Sequence, residues 1–499
     1  MTDPLVNSSS ALQFRRSATR RLATAGLVAL MTGFALPPCA AAEFSRWYRI
    51  ELDGQAAGRL HEWSEDTASG LRWHAQLQIV LDRAGHRVEF NQHTETLENA
   101  DGLVEKIVDG DVAGERVHLE AHVIDHHVRV QVATAGGHSE HDYPTPRLMG
   151  PEAVRRQTLE KMRVARDTIA YHDVSEATGE PTTVVRELTT SLTPDSPIHI
   201  IERTEQDSTA TELTLDADGY VIESLEESPL GHLTIRVASA AIAEETWRGA
   251  PIPLAGELPS AVMLPDPRRI ESLELLITPH HATLRSSDFE GPGQHVQPGA
   301  GATFRLRTDR PGTDPLSHQR PVIDEQQANA LFTSESAEVR ELAQRLTVGH
   351  TTDSARIEAL VSWVHQTLQF DPGFAIADAL DVLHRRRGTC VAYATLTATL
   401  LRAAGFPSRM VYGYAYADGN FIGHAWTEVW TNQRWRAVDA ALHQESLADA
   451  ARIALARSDG ASGPASGLDR LLRTFGAFDV AVNAYVLDGQ RTELNRQPR

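Results

Sequence analysis

Strict alternation of apolar and polar residues is the feature that most restricts the fold of this chain. In the segment LRWHAQLQIVL, residues 71–81, every second position is apolar. Such a period of two is typical of a β-strand with one buried face, whereas a helix has a period of 3.6. The pattern recurs in WYRIEL, VHLEAHVIDHHVRVQV and TELTLDADGYVIESLE, and Asp-Gly pairs such as Asp53-Gly54 indicate hairpin turns. We therefore predict an antiparallel β-rich domain over residues 43–250.

The residue pattern of the sequence changes twice after residue 250. Five prolines between residues 251 and 267 indicate a linker, and the segments IESLELLITPHHATLRSSDF and GATFRLRTD predict a small β module. We assign this linker and module to residues 251–320. After Pro321 helical patterns dominate, so the predicted fold class is α+β, with a second α+β domain over residues 321–499. A short helix near PEAVRRQTLEKMRVARD is expected to interrupt the β-rich domain.

The first 42 residues have the features of an export signal. Four arginines between residues 15 and 21 form a basic region. The apolar run LATAGLVALMTGFAL is shorter than the ~20 residues that a membrane-spanning helix needs, and it is followed by Ala40-Ala41-Ala42. We predict a signal peptide over residues 1–42 and an exported protein, periplasmic or secreted. An uncleaved anchor, twin-arginine export and lipid attachment at Cys39 are the alternatives.

The charge of the chain argues against nucleic-acid binding. The whole chain has a formal net charge of −20, and the mature chain would carry −23, because residues 1–42 hold four arginines and one aspartate. No basic cluster and no long apolar run follow the signal, so we expect neither a nucleic-acid partner nor a later transmembrane helix. Oligomeric state is not predicted.

Histidine pairs raise the hypothesis of a metal site. The positions concerned are His126-His127, His138 with His141, and His280-His281. Metal sites need imidazoles that converge, as at positions i and i+2 of a strand, whereas adjacent strand residues point to opposite faces. We interpret these histidines as structural or solvated, and we predict no metal and no cofactor.

Two cysteines occur in the chain, and the predicted cleavage removes Cys39, which leaves Cys390 without a disulfide partner. The segment DSARIEALVSWVHQTLQF predicts an amphipathic helix capped by Asp353 or Ser354, and AIADALDVLHRR predicts a second helix. Thr389 can cap a third helix that contains Cys390 in its first turn. There the helix dipole favours a thiolate and the backbone amides can stabilise an oxyanion. A buried structural cysteine is the alternative.

Two further strands carry residues that could serve such a cysteine. HAWTEVW places His424, Trp426 and Glu428 on one face, and RWRAVDAA places Asp439 on a face of the next strand. A turn at Asn432-Gln433 makes His424 and Asp439 diagonal neighbours across the hairpin. An imidazole oriented by a carboxylate is the group that takes the proton of a cysteine nucleophile.

The order Cys390, His424, Asp439, in the settings GTCVAYATLTATLLRAAGFPSRMVYGY, GHAWTEVW and RWRAVDAA, resembles the transglutaminase-like superfamily, whose active site is similar to that of papain-like cysteine proteases. The resemblance covers about residues 350–455. It implies that Cys390 is the nucleophile, His424 the general base and acid, and Asp439 the orienting carboxylate. The β-rich region resembles the N-terminal extension of secreted bacterial members. Where the family often has Asp-Pro-Thr, this chain has Asp439-Ala440-Ala441.

The resemblance implies an exported cysteine enzyme that transfers the acyl group of an amide through a thioester. Hydrolysis, as in a protease or amidase, is favoured over transamidation, because water is abundant and no amine-binding motif is recognisable. A protein or peptide substrate is expected. The alternative is an inactive scaffold that binds a protein or glycan, although the intact Cys, His and Asp set argues against it. Trp363 and Gln366 are candidate side-chain oxyanion donors.

Processing of the export signal is directly measurable. Because small residues close the apolar run, we expect the purified exported protein to begin at Glu43. Mass spectrometry of the intact protein checks whether its mass is that of a chain that begins at Glu43. An unprocessed N-terminus, or a lipid on Cys39, would contradict the prediction.

Overall fold

A computed structural model describes residues 44–494 except 84, 113–114, 135–136, 163–167, 177–178, 190–196, 205–206, 229–230, 253–255, 281–283, 311–314, 372–377, 462–466, 468–470 and 472–473. The predicted signal peptide, Cys39, Glu43 and His281 lie outside these residues. Contacts divide the chain into two compact units. We call them the β unit, within Ala11–Thr134 and His138–Pro253, and the C-terminal unit, chiefly Leu254–Arg499.

The β unit consists largely of antiparallel strands that follow one another along the sequence. They are β1 (Phe44–Leu52), β2 (Gln55–Thr67), β3 (Gly70–Arg83), β4 (His86–Asn99), β5 (Gly102–Val112), β6 (Glu115–Ile124), β7 (His127–Thr134), β8 (His138–Pro144), β9 (Thr168–Val174), β10 (Pro181–Leu188), β11 (Ile198–Thr204), β12 (Asp207–Leu215), β13 (Val221–Ser228) and β14 (Gly231–Ala238). The sheet runs from β8 back to β1 and then from β14 back to β9, and β15 (Ala250–Pro251) joins β3 in parallel.

The alternating pattern and the turn residues account for this sheet. Asp53 and Gly54 have φ values of 48° and 74°, the left-handed conformation that a two-residue hairpin of type I′ requires. On β3 the predicted inward residues from Trp73 to Leu81 are at most 9% exposed. Val80, which the alternation assigns to the other face, is also buried, because Ile242 and Trp247 pack on it.

Helix α1 (Pro151–Met162) is the short helix expected within the β-rich domain, and it connects β8 to β9. The Glu98 carboxylate accepts hydrogen bonds from the first-turn amides of Glu152 (2.7 Å) and Ala153 (3.1 Å). A carboxylate at this end is favourable, because the helix N-terminus carries unpaired N–H groups. Burial nevertheless raises the pKa of Glu98.

The C-terminal unit mixes helices and strands. Its first strands are β16 (Glu257–Pro259), β17 (Ile270–Pro279), β18 (Gln294–Pro298) and β19 (Phe304–Asp309). Its middle part contains α2 (Ala337–Thr347), α3 (Asp353–Thr367), β20 (Gln369–Phe370), α4 (Ala379–Arg385), β21 (Arg387–Gly388) and α5 (Cys390–Ala403). The last strands are β22 (Ser408–Ala417), β23 (Asn420–Thr431), β24 (Arg434–Val438), β25 (Arg452–Ser458), β26 (Phe478–Leu487) and β27 (Gln490–Glu493). The predicted α+β fold class is confirmed.

Helix α5 is the centre of this unit. It packs on β22 and β23 and on helices α2, α3 and α4. Its leucines Leu396, Leu400 and Leu401 are buried, but so is every other residue from Cys390 to Arg402. The helix is therefore surrounded rather than amphipathic. Helix α3 begins after Thr352, whose hydroxyl accepts the Ala355 amide, so neither Asp353 nor Ser354 is the cap. In the part of the chain that the structure describes, we find no helix with the length and apolar character of a membrane span.

The small β module lies inside the C-terminal unit. One sheet has the order β18-β19-β17-β26-β27, so that β17 pairs with a strand about 200 residues later in the chain. The proline-rich passage before it is partly ordered as strands, since β16 pairs with β23. Prolines are tolerated there because edge strands need fewer N–H donors. The unit thus begins near residue 254, whereas the sequence pattern placed a domain boundary at 321.

A fragment experiment distinguishes these two boundaries. We expect residues 254–499 to fold alone, and residues 321–499 to unfold or aggregate, because the shorter fragment lacks β17, with buried Leu273, Leu275 and Ile277. Circular dichroism during heating checks for a cooperative transition in each fragment. A cooperative transition at an equal temperature in the shorter fragment would show that β17 is dispensable.

Candidate active site

Cys390 is the first residue of α5 and is 1% exposed. The two residues before it are held in place by a strand pairing and by a helix cap. Gly388 in β21 pairs in parallel with Phe370 in β20, and the Thr389 hydroxyl accepts the Val391 amide at 3.3 Å as the helix cap. This arrangement holds the thiol at the positive end of a helix dipole.

His424 on β23 and Asp439 beyond β24 are joined by a direct hydrogen bond. The distance between Nε2 of His424 and Oδ2 of Asp439 is 2.8 Å, and the two residues are 5% and 1% exposed. The hairpin has the expected register, with Trp430 opposite Trp435, and its two turn residues have φ values of 51° and 58°. The strand ends at Val438, and Asp439 is held instead by two backbone hydrogen bonds with Gln444.

The electrostatics connect this pair to Cys390. Burial alone would lower the pKa of His424, but the charges of Asp439 and Cys390 and hydrogen bonds to both raise it to about 9. The cysteine side chain therefore lies within interaction distance of the imidazole. Because Asp439 occupies Nε2, Nδ1 is the ring nitrogen left for Cys390. Burial would raise the pKa of Asp439, but the charges of His424 and Arg452 hold it well below its usual range.

Arg452 at the start of β25 is a part of the site that the sequence interpretation missed. Its Nη1 donates to Oδ2 of Asp439 at 2.6 Å, and its Nη2 donates to Asp449 at 3.2 Å and to Gln444. The guanidinium also lies over the Trp426 ring, 5.4 Å from its centroid. The available signal was an arginine at the head of the apolar run RIALA, since a buried charge needs a partner.

Glu428, the other carboxylate on the His424 face, is bound elsewhere. It is 4% exposed and accepts hydrogen bonds from Arg409 (2.8 Å) and Arg457 (3.1 Å). Both arginines hold the pKa of Glu428 below its ordinary value against the effect of burial. The amide of Gln366, one of the two candidate oxyanion donors, is exposed and donates to Ser362 on its own helix at 3.1 Å.

The turn after Asp439 departs from the family pattern in sequence and is held by a histidine. Nδ1 of His365 donates to the Ala440 carbonyl at 2.8 Å, and the His365 ring stacks on His443 at 4.1 Å and 7°. The Leu442 amide donates to Oδ1 of Asp439 at 3.0 Å. These contacts fix the position of the carboxylate although the turn lacks a proline.

Comparison with known proteins shows what this part of the chain is similar to. Residues 340–440 match the family model of the transglutaminase-like superfamily. This region is similar to that superfamily. The resemblance inferred from the motifs is thereby confirmed. The match includes Cys390, His424 and Asp439 and ends one residue after the aspartate.

Two curated proteins are similar to part of the chain. An uncharacterized protein of Mycobacterium leprae is 30% identical over 123 residues, which are 23% of this chain and 44% of that protein. The protein-glutamine gamma-glutamyltransferase of Pseudomonas aeruginosa is 34% identical over 116 residues, 20% of this chain and 17% of that protein. The chain thus spans less than half the length of either relative.

Solved structures give weaker similarity. A proposed cysteine protease from Cytophaga hutchinsonii is 16% identical, with a TM-score of 0.27, over 45% of this chain and 85% of that one. A proposed protease from Parabacteroides distasonis is 11% identical, with a TM-score of 0.19, over 78% of this chain and 70% of that one. These scores are too low to carry an argument.

Replacing Arg452 tests its contribution to the stability of the C-terminal unit. In Arg452→Met the buried carboxylates of Asp439 and Asp449 lose a cation, so we expect the free energy of unfolding to fall by about 3–5 kcal/mol near neutral pH. The deficit should shrink in acid, because protonation of a carboxylate removes the uncompensated charge. Urea unfolding at several pH values measures both effects. An equal deficit at every pH would mean that packing, not charge, accounts for the loss.

Proposed function

We propose that this protein is an exported cysteine enzyme that transfers the acyl group of an amide through a thioester on Cys390. The observation that carries the proposal is the buried 2.8 Å hydrogen bond between His424 and Asp439, with the pKa of that imidazole raised by both Asp439 and Cys390. A buried cysteine that only filled space would not need a charged imidazole beside it. The transglutaminase-like match of residues 340–440 supports the same assignment.

The first half of the proposed reaction forms the thioester. The Cys390 proton moves to His424, and the resulting Sγ thiolate attacks the carbonyl carbon of the amide. The negative charge that develops on the carbonyl oxygen faces the N-terminal end of α5, where backbone N–H groups and the helix dipole stabilise an anion. The C–N bond then breaks, and the leaving amine takes the proton from His424.

The second half restores the enzyme. An acceptor, water or an amine, gives a proton to His424 and attacks the thioester, and the Cys390 sulfur leaves as a thiolate beside the imidazolium. Asp439 stays ionised throughout and keeps the imidazole oriented, as the lowered pKa of this carboxyl requires. Arg452 acts only through Asp439 and is a positioning residue.

Hydrolysis is the acceptor reaction that we favour. Water is abundant in an exported compartment, and the sequence has no recognisable amine-binding motif. Transamidation is the second candidate, because the similar Pseudomonas aeruginosa protein is named a protein-glutamine gamma-glutamyltransferase. A protein substrate incubated with enzyme and a labelled primary amine distinguishes the two: amine incorporation indicates transamidation, and cleavage or deamidation without incorporation indicates hydrolysis.

The competing proposal from another class is an inactive scaffold that binds a protein or glycan. Its distinguishing property is a Cys390 thiol without special reactivity. Labelling by a small thiol reagent therefore separates the two proposals, since an exported mature chain would contain Cys390 as its sole cysteine.

The pH dependence of alkylation tests the catalytic assignment. We expect iodoacetamide to modify Cys390 at pH values well below 8.5, the pKa of a free thiol, because the imidazolium of His424 stabilises a thiolate until the pH approaches about 9. His424→Ala should shift the reactivity to alkaline pH, and Asp439→Asn should shift it less. Mass spectrometry of the alkylated protein measures the rate.

Glu428→Gln is the matched control for Asp439→Asn. Both substitutions remove a buried carboxylate from the C-terminal unit, but only Asp439 contacts His424, so Glu428→Gln should leave the alkylation profile unchanged. Circular dichroism confirms that each variant is folded. If native Cys390 titrates like a free thiol, or reacts only in denaturant, it is a core residue and the enzymatic proposal fails.

A further inference from the structure

A row of stacked rings crosses one face of the β unit. Trp63 on β2 lies nearly parallel to the His74 ring on β3, with centroids 4.8 Å apart and an angle of 5°, and it also stacks on His93 on β4. His74 stands directly opposite Glu95, and His93 is two residues before Glu95 on the same strand. Positions so related lie on one face of a sheet, so the three polar side chains converge.

The ligand atoms of these residues are close together. Nδ1 of His74 is 3.3 Å from Nε2 of His93 and 3.9 Å from Oε1 of Glu95, and the three residues each offer a ligand atom within 4.8 Å of the others. Two imidazole nitrogens bound to one tetrahedral Zn²⁺ at 2.0–2.1 Å stand roughly 3.3–3.4 Å apart. The observed separation of the two nitrogens is that of imidazoles sharing an ion.

We propose that His74, His93 and Glu95 bind a divalent transition-metal ion, with Zn²⁺ the best match. Two imidazoles and a carboxylate are borderline and hard ligands that suit Zn²⁺. Three protein ligands leave a fourth position for water or for a ligand atom of another molecule. His74 lies opposite the carboxylate of Glu95, and His93 lies two residues before that carboxylate on the same strand face. This arrangement provides the convergence that the adjacent pair His126-His127 cannot.

Neighbouring side chains orient these ligands. Oε1 of Glu65 lies 3.5 Å from Nε2 of His74, so that a carboxylate faces the ring nitrogen opposite the metal side. Metal-binding histidines commonly have such a carboxylate partner, which fixes the tautomer. Arg72 donates to Oε2 of Glu95 at 2.9 Å and leaves Oε1 directed towards His74. The His74 side chain is only 10% exposed, so its rotation is restricted.

Other histidines of the chain differ from this cluster. His127 faces Asp142, and His280 contacts the Gly476 carbonyl and Asp479. Within the part of the chain that the structure describes, the group of His74, His93 and Glu95 is where three metal-binding side chains converge. A direct hydrogen bond between two neutral rings is the competing explanation for the 3.3 Å distance.

Titration of Zn²⁺ into the chelator-treated chain tests the proposal. The full mature chain with Cys390→Ala is used, so that the thiol cannot supply a ligand. We expect one ion per chain by calorimetry and a higher midpoint of thermal unfolding in Zn²⁺. Co²⁺ should give the intense visible absorption of a four-coordinate N,O site. Glu65→Gln should weaken the affinity roughly 10-fold or more, as loss of a carboxylate behind a metal-bound histidine does.

His118→Gln is the matched control for His74→Asn and His93→Gln. His118 lies on β6 of the same unit, with its two ring nitrogens facing Asp109 and Glu120, and it is outside the proposed site. We expect the control to keep the stoichiometric ion and the Co²⁺ spectrum, and the two site variants to lose both. Equal Zn²⁺ binding by all variants would place the ion at other residues, and no stoichiometric binding by the parent chain would leave a plain histidine–histidine hydrogen bond. Either result would overturn the proposal.

Discussion

The buried carboxylate of Asp439 determines how the C-terminal unit is built around its candidate site. An ionised carboxylate that is 1% exposed must be compensated, and the compensation comes from three directions. His424 and Arg452 both approach Oδ2, and the Leu442 amide approaches Oδ1. The Asp439 carboxylate therefore connects strands β23 and β25 and the turn after β24 through hydrogen bonds. The position of helix α5 matters chemically because Cys390 begins that helix beside the same imidazole.

The local features of this site are visible in the sequence. The hairpin register follows from two turn residues, and the helix start follows from a capping threonine before the cysteine, so both could be predicted without a structure. The alternation of the β unit likewise specifies strands and buried faces. These features depend on neighbours in sequence, where propensity and periodicity act directly.

What the sequence did not indicate depends on distant partners. Strand β17 reads as part of a separate small module until its pairing with β26 is known. The sequence marks Arg452 as a charge beside an apolar run, but it does not indicate that Asp439 is its partner. The metal-binding geometry proposed for His74 and His93 arises in the same way, from register across two strands. The all-round burial of α5 could not be deduced either, because a threonine on its polar-looking face can be buried when its hydroxyl bonds to the helix backbone, as Thr399 does with the Thr395 carbonyl.

The charges around the candidate site explain how a proton can move between Cys390 and His424 although both are buried. Asp439 and Asp449 are balanced by Arg452 and Arg268, which form ion pairs with them at 2.6 Å and 2.8 Å. The remaining pair, Cys390 and His424, is neutral in total whether the proton lies on sulfur or on the imidazole. Proton transfer between them redistributes charge without adding net charge to the interior, and the Asp439 carboxylate favours the form in which the imidazole is positive. The arginines therefore lower the energy of the ionised Cys390–His424 pair indirectly. They keep Asp439 ionised, and its fixed negative charge stabilises the imidazolium.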